Sequence, residues 1–492
     1  LALFVVLLVA SPLTDHARAT RMGAVAVLMA SWWISEAVPL AATALLPLVL
    51  YPLLGIQSGK ETAPVYVNST IFLFVGGFMI ARCMEAWALH RRIALRIVRL
   101  VGSGPTRVVL GLMLASAFLS MFISNTAAAV IMLPIGLAIV LQLEDRAGRD
   151  ATAGFAAALM LGIAYACSVG GIATLVGTPP NLAFQRILAI TFPEAPPVSF
   201  GQWLLMGLPL SASFLVAIWL LLTRVFFHLP KHVELDRGTL DVEYSRLGRM
   251  RYEEKVVFAA FITTALLWTF RNDLRLGFVT LPGWSNLLPS SKLVDDATVA
   301  VCMALLLFLV PARSPEARGG AVMPANIFSR LPWDIVLLFG GGFALAAGFQ
   351  NSGLSELAGR LFSGLVGVPA ILVVVAVCTM LTFLTEFTSN TATTQLLLPI
   401  LASVAVAMQI NPLLLMVPAA LSASCAFMMP VATPPNAIVF GSGRLRIADM
   451  VRAGFWINLL GIVLITLVFY VLGTSVFGID TTSSPPWARA GQ

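Results

Sequence analysis

The sequence predicts an all-α membrane protein: about eleven transmembrane helices plus two re-entrant hairpins, arranged as an inverted repeat. Three observations carry this. The chain of 492 residues is 59% hydrophobic and only 11% charged, whereas a soluble domain has about 25% charged residues. Charge-free windows of about 20 residues, the mark of transmembrane helices, recur along its whole length. Finally, three phrases occur twice in the same order. Ser-Asn-Thr at 124–126 returns at 389–391, within MFISNTAAAVIMLPI (121–135) and EFTSNTATTQLLLPI (386–400). GTPPN at 177–181 returns as ATPPN at 432–436, and FVGGF at 74–78 as FGGGF at 339–343. The first and third pairs lie 265 residues apart and the second 255, so one unit is duplicated.

In chain order, spans are expected at 1–13, 22–36, 38–54, 69–87, 152–190, 203–228, 255–270, 295–311, 333–350, 409–440 and 453–474. The first, LALFVVLLVASPL, begins without Met and reads as a transmembrane helix whose start is missing. The run 22–54 is split at Ala37-Val38-Pro39, because proline disfavours helix at the residue before it. An amphipathic stretch, LHRRIALRIVRLV at 89–101, precedes the first Ser-Asn-Thr, and LSELAGRLFSGLV at 354–366 is its weaker echo. Both suit helices lying in the membrane interface, either fixing orientation or linking a mobile unit to a scaffold. Apolar arms at 106–123 and 127–142, then 368–385 and 392–408, flank the two Ser-Asn-Thr phrases. They are short for full spans and suit hairpins whose tips lie at membrane depth, which is tolerated only in protein or beside a wet cavity.

Orientation follows from the loops. Lys231, Arg237, Arg246, Arg249 and Arg251 in loop 229–254, and Arg313, Arg318 and Arg330 in loop 312–332, place both on the cytoplasmic side. Arg146 and Arg149 fall there too, and the two FxGGF spans then run in opposite directions. The organisation expected is a first transmembrane helix at 1–21, a first repeat at 22–228 with hairpin 106–142, a cytoplasmic linker at 229–254, a second repeat at 255–474 with hairpin 368–408, and a disordered external tail at 475–492.

Composition also excludes. The net charge of +7 is accounted for by cytoplasmic loops, so no nucleic-acid partner is implied. Cys83, Cys167, Cys302, Cys378 and Cys425 form no CxxC pair and read as small core residues. His16, His90, His228 and His232 form no metal constellation, and no Walker loop is present. No nucleophile–base pair stands in the spans, which argues against a membrane enzyme. Broken helices in an inverted repeat favour alternating access over a continuous channel.

The repeated phrases carry the chemistry. Ser, Asn and Thr offer oxygens to a hard cation and N–H or O–H donors to an anion. A helix starting after each tip turns its positive end there. Each TPPN removes backbone donors and frees upstream carbonyls, natural cation ligands at mid-membrane. No Arg or Lys stands in these motifs, so a dianion needs either coupled cations or neutral donors with helix N-termini. Glu386 could be a cation or proton ligand; the favoured reading is that it hydrogen-bonds hairpin backbone, since its counterpart is Met121. Glu36, Arg82, Glu85 and Arg186 sit near span ends or breaks and are expected to snorkel or pair, while Asp295, Asp296 and Asp334 mark span starts.

The paired Ser-Asn-Thr hairpins, the TPPN breaks, TEFTSNTA at 385–392 and WWISEAVPLAATALLP at 32–47 resemble the divalent-anion/sodium symporter family over essentially the whole chain. The resemblance implies a homodimer in the bacterial cytoplasmic membrane whose protomers divide into scaffold and transport domains working as an elevator. It implies substrate contacts from Asn125 and Thr126, and from Asn390 and Thr391, bordered by Thr178, Pro179, Thr433 and Pro434. One Na⁺ site would use Ser120, Ser124, Asn125 and the backbone at Gly177, and its partner Thr385, Ser389, Asn390 and the backbone at Ala432. The cargo implied is a C4-dicarboxylate or citrate moved with Na⁺ as the coupling ion. A cation-independent dicarboxylate exchanger and a sulfate carrier remain open. Both hydroxyl positions, Ser120 and Thr385, are filled, which favours Na⁺ coupling.

Overall fold

In a computed structural model of the chain, the described residues are 2–10, 16–102, 104–229, 237–276, 279–315, 319–362, 364 and 367–489. Lys231 and Arg318, residues 1 and 11–13 of the first expected span, and residues 490–492 of the tail lie outside them. Among the described residues, seven helices are long and apolar enough to cross a membrane, and five shorter apolar helices accompany them. One β-ribbon, Leu274–Leu276 antiparallel to Val279–Leu281, interrupts the all-α expectation in the loop after helix Tyr252–Thr269.

Both halves pass through the same elements. The first half has helices Ser69–Ala86, Leu89–Val101, Pro105–Ser120, Asn125–Ala147, Arg149–Gly171, Pro179–Thr191 and Phe200–Leu220. The second has Trp333–Ser352, Leu354–Leu361, Ala370–Leu384, Asn390–Ala407, Leu413–Ser422, Pro434–Phe440 and Ile447–Val468. The helix before the Pro39 break runs Ala17–Ser35, so it starts five residues ahead of the expected 22. Glu36 ends it in the left-handed conformation (φ 49°). The two expected broken spans, 152–190 and 409–440, are each two helices separated by irregular backbone.

The third repeated phrase acquires its reason here. Helix Ser69–Ala86 crosses Asp296–Leu309 so closely that a Cβ on Gly76 would stand 2.7 Å from the Ala300 Cβ. A Cβ on Gly341 in helix Trp333–Ser352 would stand 2.5 Å from the Ala44 Cβ. Small residues at matching positions let backbones approach where no hydrophobic force drives helices together. The neighbouring Gly342 receives Gln395 from the second hairpin: a Cβ there would overlap its Cδ. Gln395 is fully buried, and neither of its amide atoms has a hydrogen-bond partner. The corresponding residue of the first hairpin, Val130, is 54% exposed.

Several side chains depart from expectation. Arg92 of the amphipathic helix is buried and bound to Glu254, its Nη1 and Nη2 donating to Gly248 O (3.0 Å) and Leu247 O (3.1 Å). Arg99 pairs with Asp241 at 2.8 Å and lies 4.5 Å from the Tyr244 ring centre, so this helix is pinned to the polar loop. Cys302 is exposed, unlike the other four cysteines, because it falls on the outer face of its helix with Leu305 and Leu309. The described part of the tail, residues 475–489, is not the expected disordered end. It forms a turn of helix at Pro486–Arg489, and Trp487 packs on Phe192 at 5.3 Å between ring centres, because a large apolar ring gains by leaving water. Arg82 pairs with Glu85 (2.7 Å), and Asp295 caps its helix by accepting from Thr298 N (2.8 Å), both as anticipated.

Candidate functional site

The two Ser-Asn-Thr phrases are hairpin tips, and the serine is the reason a helix starts there. Ser124 has extended backbone and its Oγ accepts from Ala127 N (3.2 Å); Ser389 accepts from Ala392 N (3.5 Å). Asn125 and Asn390 are therefore the first residues of their helices, placed at the positive end. The TPPN phrases do the same with different chemistry. Thr178 and Thr433 are the capping residues, and Pro179 and Pro434 take the first helical position, where a missing N–H costs nothing.

Four helix N-termini thus meet at one cavity of about 940 Å³. Its wall contains all eight residues expected to contact substrate: Asn125, Thr126, Thr178, Pro179, Asn390, Thr391, Thr433 and Pro434. It also contains Ser124, Gly177, Ser389 and Ala432. Among the described residues no Arg or Lys lines it, while the carboxylates of Glu36 and Asp334 stand in the same wall. What the wall offers an anion is helix ends and polar hydrogens, each end contributing about 0.3–1 kcal/mol.

Ser120 and Thr385 lie just behind the wall, fully buried. Ser120 Oγ donates to Asn125 Oδ1 and Thr385 Oγ1 to Asn390 Oδ1, the latter at 2.6 Å. Thr385 Oγ1 also stands 3.0 Å from Ala423 O. A hydroxyl has one proton, so three oxygens gather around a single hydrogen. That is a donor set of hard oxygens suited to a small cation. These residues fit Na⁺, and Ala423 O joins the set although nothing in the sequence marked it.

Side chains satisfy part of the unwound backbone, as burial demands. In the second half, Glu386 accepts from Phe427 N (2.7 Å), Met428 N (2.9 Å), Met429 N (3.0 Å) and Asn458 Nδ2 (2.7 Å). All of these are donors, so the carboxylate acts as an acceptor only. It binds the backbone of the broken helix and not that of its own hairpin, and so ties the two together. In the first half the tie is neutral: Thr174 Oγ1 donates to Met121 O (2.5 Å) and accepts from Gly177 N (3.0 Å). Tyr165 Oη donates to Phe427 O (2.7 Å), and Thr178 Oγ1 lies 3.5 Å from Ser424 Oγ, joining the halves to each other. Nothing in the sequence gives Thr174, Ser424, Asn181 or Asn436 a role by itself. The two asparagines close the repeated TPPN phrases, and that repetition was the available signal.

A family model described as the sodium:sulfate symporter transmembrane region matches residues 1–479. The chain belongs to that family. It is the divalent-anion/sodium symporter group that the doubled motifs resemble, so the protein is a multi-pass membrane transporter and not an enzyme. Within the symporter family, the chain is 42% identical to the sodium-dependent dicarboxylate transporter SdcS of Staphylococcus saprophyticus over 94% of its length and 88% of the relative's. The Staphylococcus aureus (strain MRSA252) SdcS gives the same identity and coverage. Among solved structures, the Alcanivorax borkumensis YdaH transporter superposes with a TM-score of 0.58 at 15% identity, covering 92% of this chain and 99% of its own. Neisseria gonorrhoeae MtrF superposes with a TM-score of 0.57 at 15% identity, covering 89% and 87%. These two share the symporter's fold.

Proposed function

We propose that the protein carries C4-dicarboxylates of the succinate type across the cytoplasmic membrane, coupled to Na⁺. The observation that carries this is the meeting of four helix N-termini, two at Ser-Asn-Thr tips and two at TPPN breaks, in one cavity without a basic side chain. Such a site holds a dianion through neutral donors, and its residual cost is offset when cations occupy the oxygen clusters at Ser120–Asn125 and Thr385–Asn390. The names of the SdcS relatives support Na⁺ and a dicarboxylate.

In this reading the chain makes eleven spans with two re-entrant hairpins as an inverted repeat, and its long basic loop faces the cytoplasm. The hairpins and broken helices form a transport domain that moves as an elevator against a scaffold of the remaining spans, in a homodimer. The divisions at 22–228 and 255–474 are the two repeats. The unequal cover of Gln395 and Val130 supports one end of that travel, with the second hairpin seated on helix Trp333–Ser352.

The test is uptake of radiolabelled succinate into proteoliposomes, with an inward Na⁺ gradient and with choline in its place. Uptake only with Na⁺ is expected. Uptake that ignores Na⁺ and requires dicarboxylate inside the vesicle would make the protein an exchanger; inhibition by sulfate stronger than by malate would change the cargo.

A further inference from the structure

We propose that Asn181 and Asn436, the residues that close the two TPPN phrases, are positioning residues for the two cation sites. Each would clamp the unwound backbone that presents a carbonyl to its site. The inference rests on the Na⁺-coupled reading and adds to it two residues that touch neither cargo nor cation.

The geometry is the same twice. Asn181 is fully buried, and its Nδ2 donates to Thr174 O (2.7 Å) and Gly171 O (3.4 Å). Asn436 is fully buried, and its Nδ2 donates to Met429 O (3.0 Å) and Ala426 O (3.1 Å). The accepting carbonyls stand seven and ten residues upstream in both cases. Neither Oδ1 has a hydrogen-bond partner. Reversing either amide would aim its oxygen at two carbonyl oxygens, so the orientation is set by the clamp and one buried acceptor is left over as its cost. Both copies of the duplicated unit retain that cost although their surrounding residues have diverged, which argues for a shared task.

The clamp leads directly to the sites. Gly171, held by Asn181, packs so tightly that a Cβ on it would stand 2.7 Å from Asn125 Oδ1 and 3.1 Å from Gly177 O. Moving Gly171 therefore moves both oxygens of the first set. In the second half, Met429 O accepts from Asn436 and also from Ala432 N (3.2 Å), fixing the peptide that borders that site. The same irregular stretch contains Ala423, whose carbonyl meets Thr385 Oγ1. A helix-capping role does not account for this pattern, because capping would need Oδ1 to accept from the free N–H groups of the helix start, and neither Oδ1 has a partner.

The experiment uses the full chain in proteoliposomes with Asn181→Asp and Asn436→Asp, which keep the shape and lose both N–H donors. Succinate uptake is measured against Na⁺ concentration, and against succinate at saturating Na⁺. The half-saturating Na⁺ concentration is expected to rise by about tenfold or more in each variant, the usual effect of removing a group that orients ion ligands. The succinate KM at saturating Na⁺ should stay near wild type. An unchanged Na⁺ dependence overturns the inference, as does a fall in the half-saturating concentration, or a loss of maximal rate with the Na⁺ requirement intact. If an Asp variant fails to insert, Asn181→Ser and Asn436→Ser keep one donor; a smaller rise in the same direction is expected, and none overturns the inference. If wild-type uptake proceeds equally in choline, the coupling itself falls and this inference with it. That failure shows before any substitution is made.

Discussion

Glu386 and Asn458 meet at 2.7 Å inside the bundle, 72 residues apart in sequence. With the three backbone N–H groups of residues 427–429, the amide completes a shell of donors around the carboxylate. Replacing it with an amide turns an N–H against those donors. Glu386→Gln is expected to lower stability by about 2–4 kcal/mol, since hydrogen bonds to charged groups contribute about 1.5–3 kcal/mol and the loss here is shared among several. Succinate uptake should fall with it. Thermal unfolding in detergent beside uptake per inserted protein checks this; wild-type values in both would show that the shell is dispensable.

The first half makes the same connection without charge, so its loss should be milder. Thr174→Val removes the hydroxyl between Met121 O and Gly177 N and should cost about 1–2 kcal/mol, with reduced uptake. Thr174→Ser retains the hydroxyl and is expected to behave as wild type. Equal behaviour of the Val and Ser variants in unfolding and uptake would contradict the assignment.

Glycine spacing gives a contrast within one experiment. A Cβ on Gly170 would overlap Ala117 O, both in backbone that cannot retreat separately, whereas a Cβ on Gly23 meets nothing within 4 Å. Gly170→Ala should destabilise by more than about 2 kcal/mol. Gly23→Ala, in the middle of helix Ala17–Ser35, should be neutral or gain up to about 1 kcal/mol. Melting temperatures of the two variants decide the matter.

At the tips, Asn125→Ala and Asn390→Ala each remove a side chain that lines the cavity and also accepts from a buried hydroxyl. Uptake is expected to vanish in both, while membrane insertion persists because the capping serines remain. Wild-type transport by either variant would remove that residue from the site.

Much of this site was legible in the sequence because it is written in breaks. Ser-Asn-Thr and TPPN interrupt apolar runs, and a break at membrane depth must be buried or wet, so their gathering in one cavity followed from duplication and solvation. Partner choice was not legible. Glu386 lies three residues before its tip, but its acceptors' partners are 41–43 residues downstream, and no periodicity encodes such a pairing. Arg92 read as one of four interfacial cations, yet the loop folding over it supplies two carbonyls and the helix that follows supplies Glu254. Cys302 read like its fellows because a lone apolar helix does not say which stripe faces outward. The tail read as disordered from its Ser-Pro content, and a single Trp487 with a ring to meet outweighed that composition.

The seat of Gln395 against Gly342 has a thermodynamic consequence. An amide sealed away with both of its polar atoms unmatched raises the free energy of the arrangement that seals it, by about 1–3 kcal/mol. Val130, at the same station of the other hairpin, has no polar group to strand. If the hairpins trade places during transport, the two ends of the stroke differ in free energy, and the empty carrier leans away from the end seen here. On the elevator reading proposed above, loading would supply the difference, so this one side chain would bias the carrier toward one resting side.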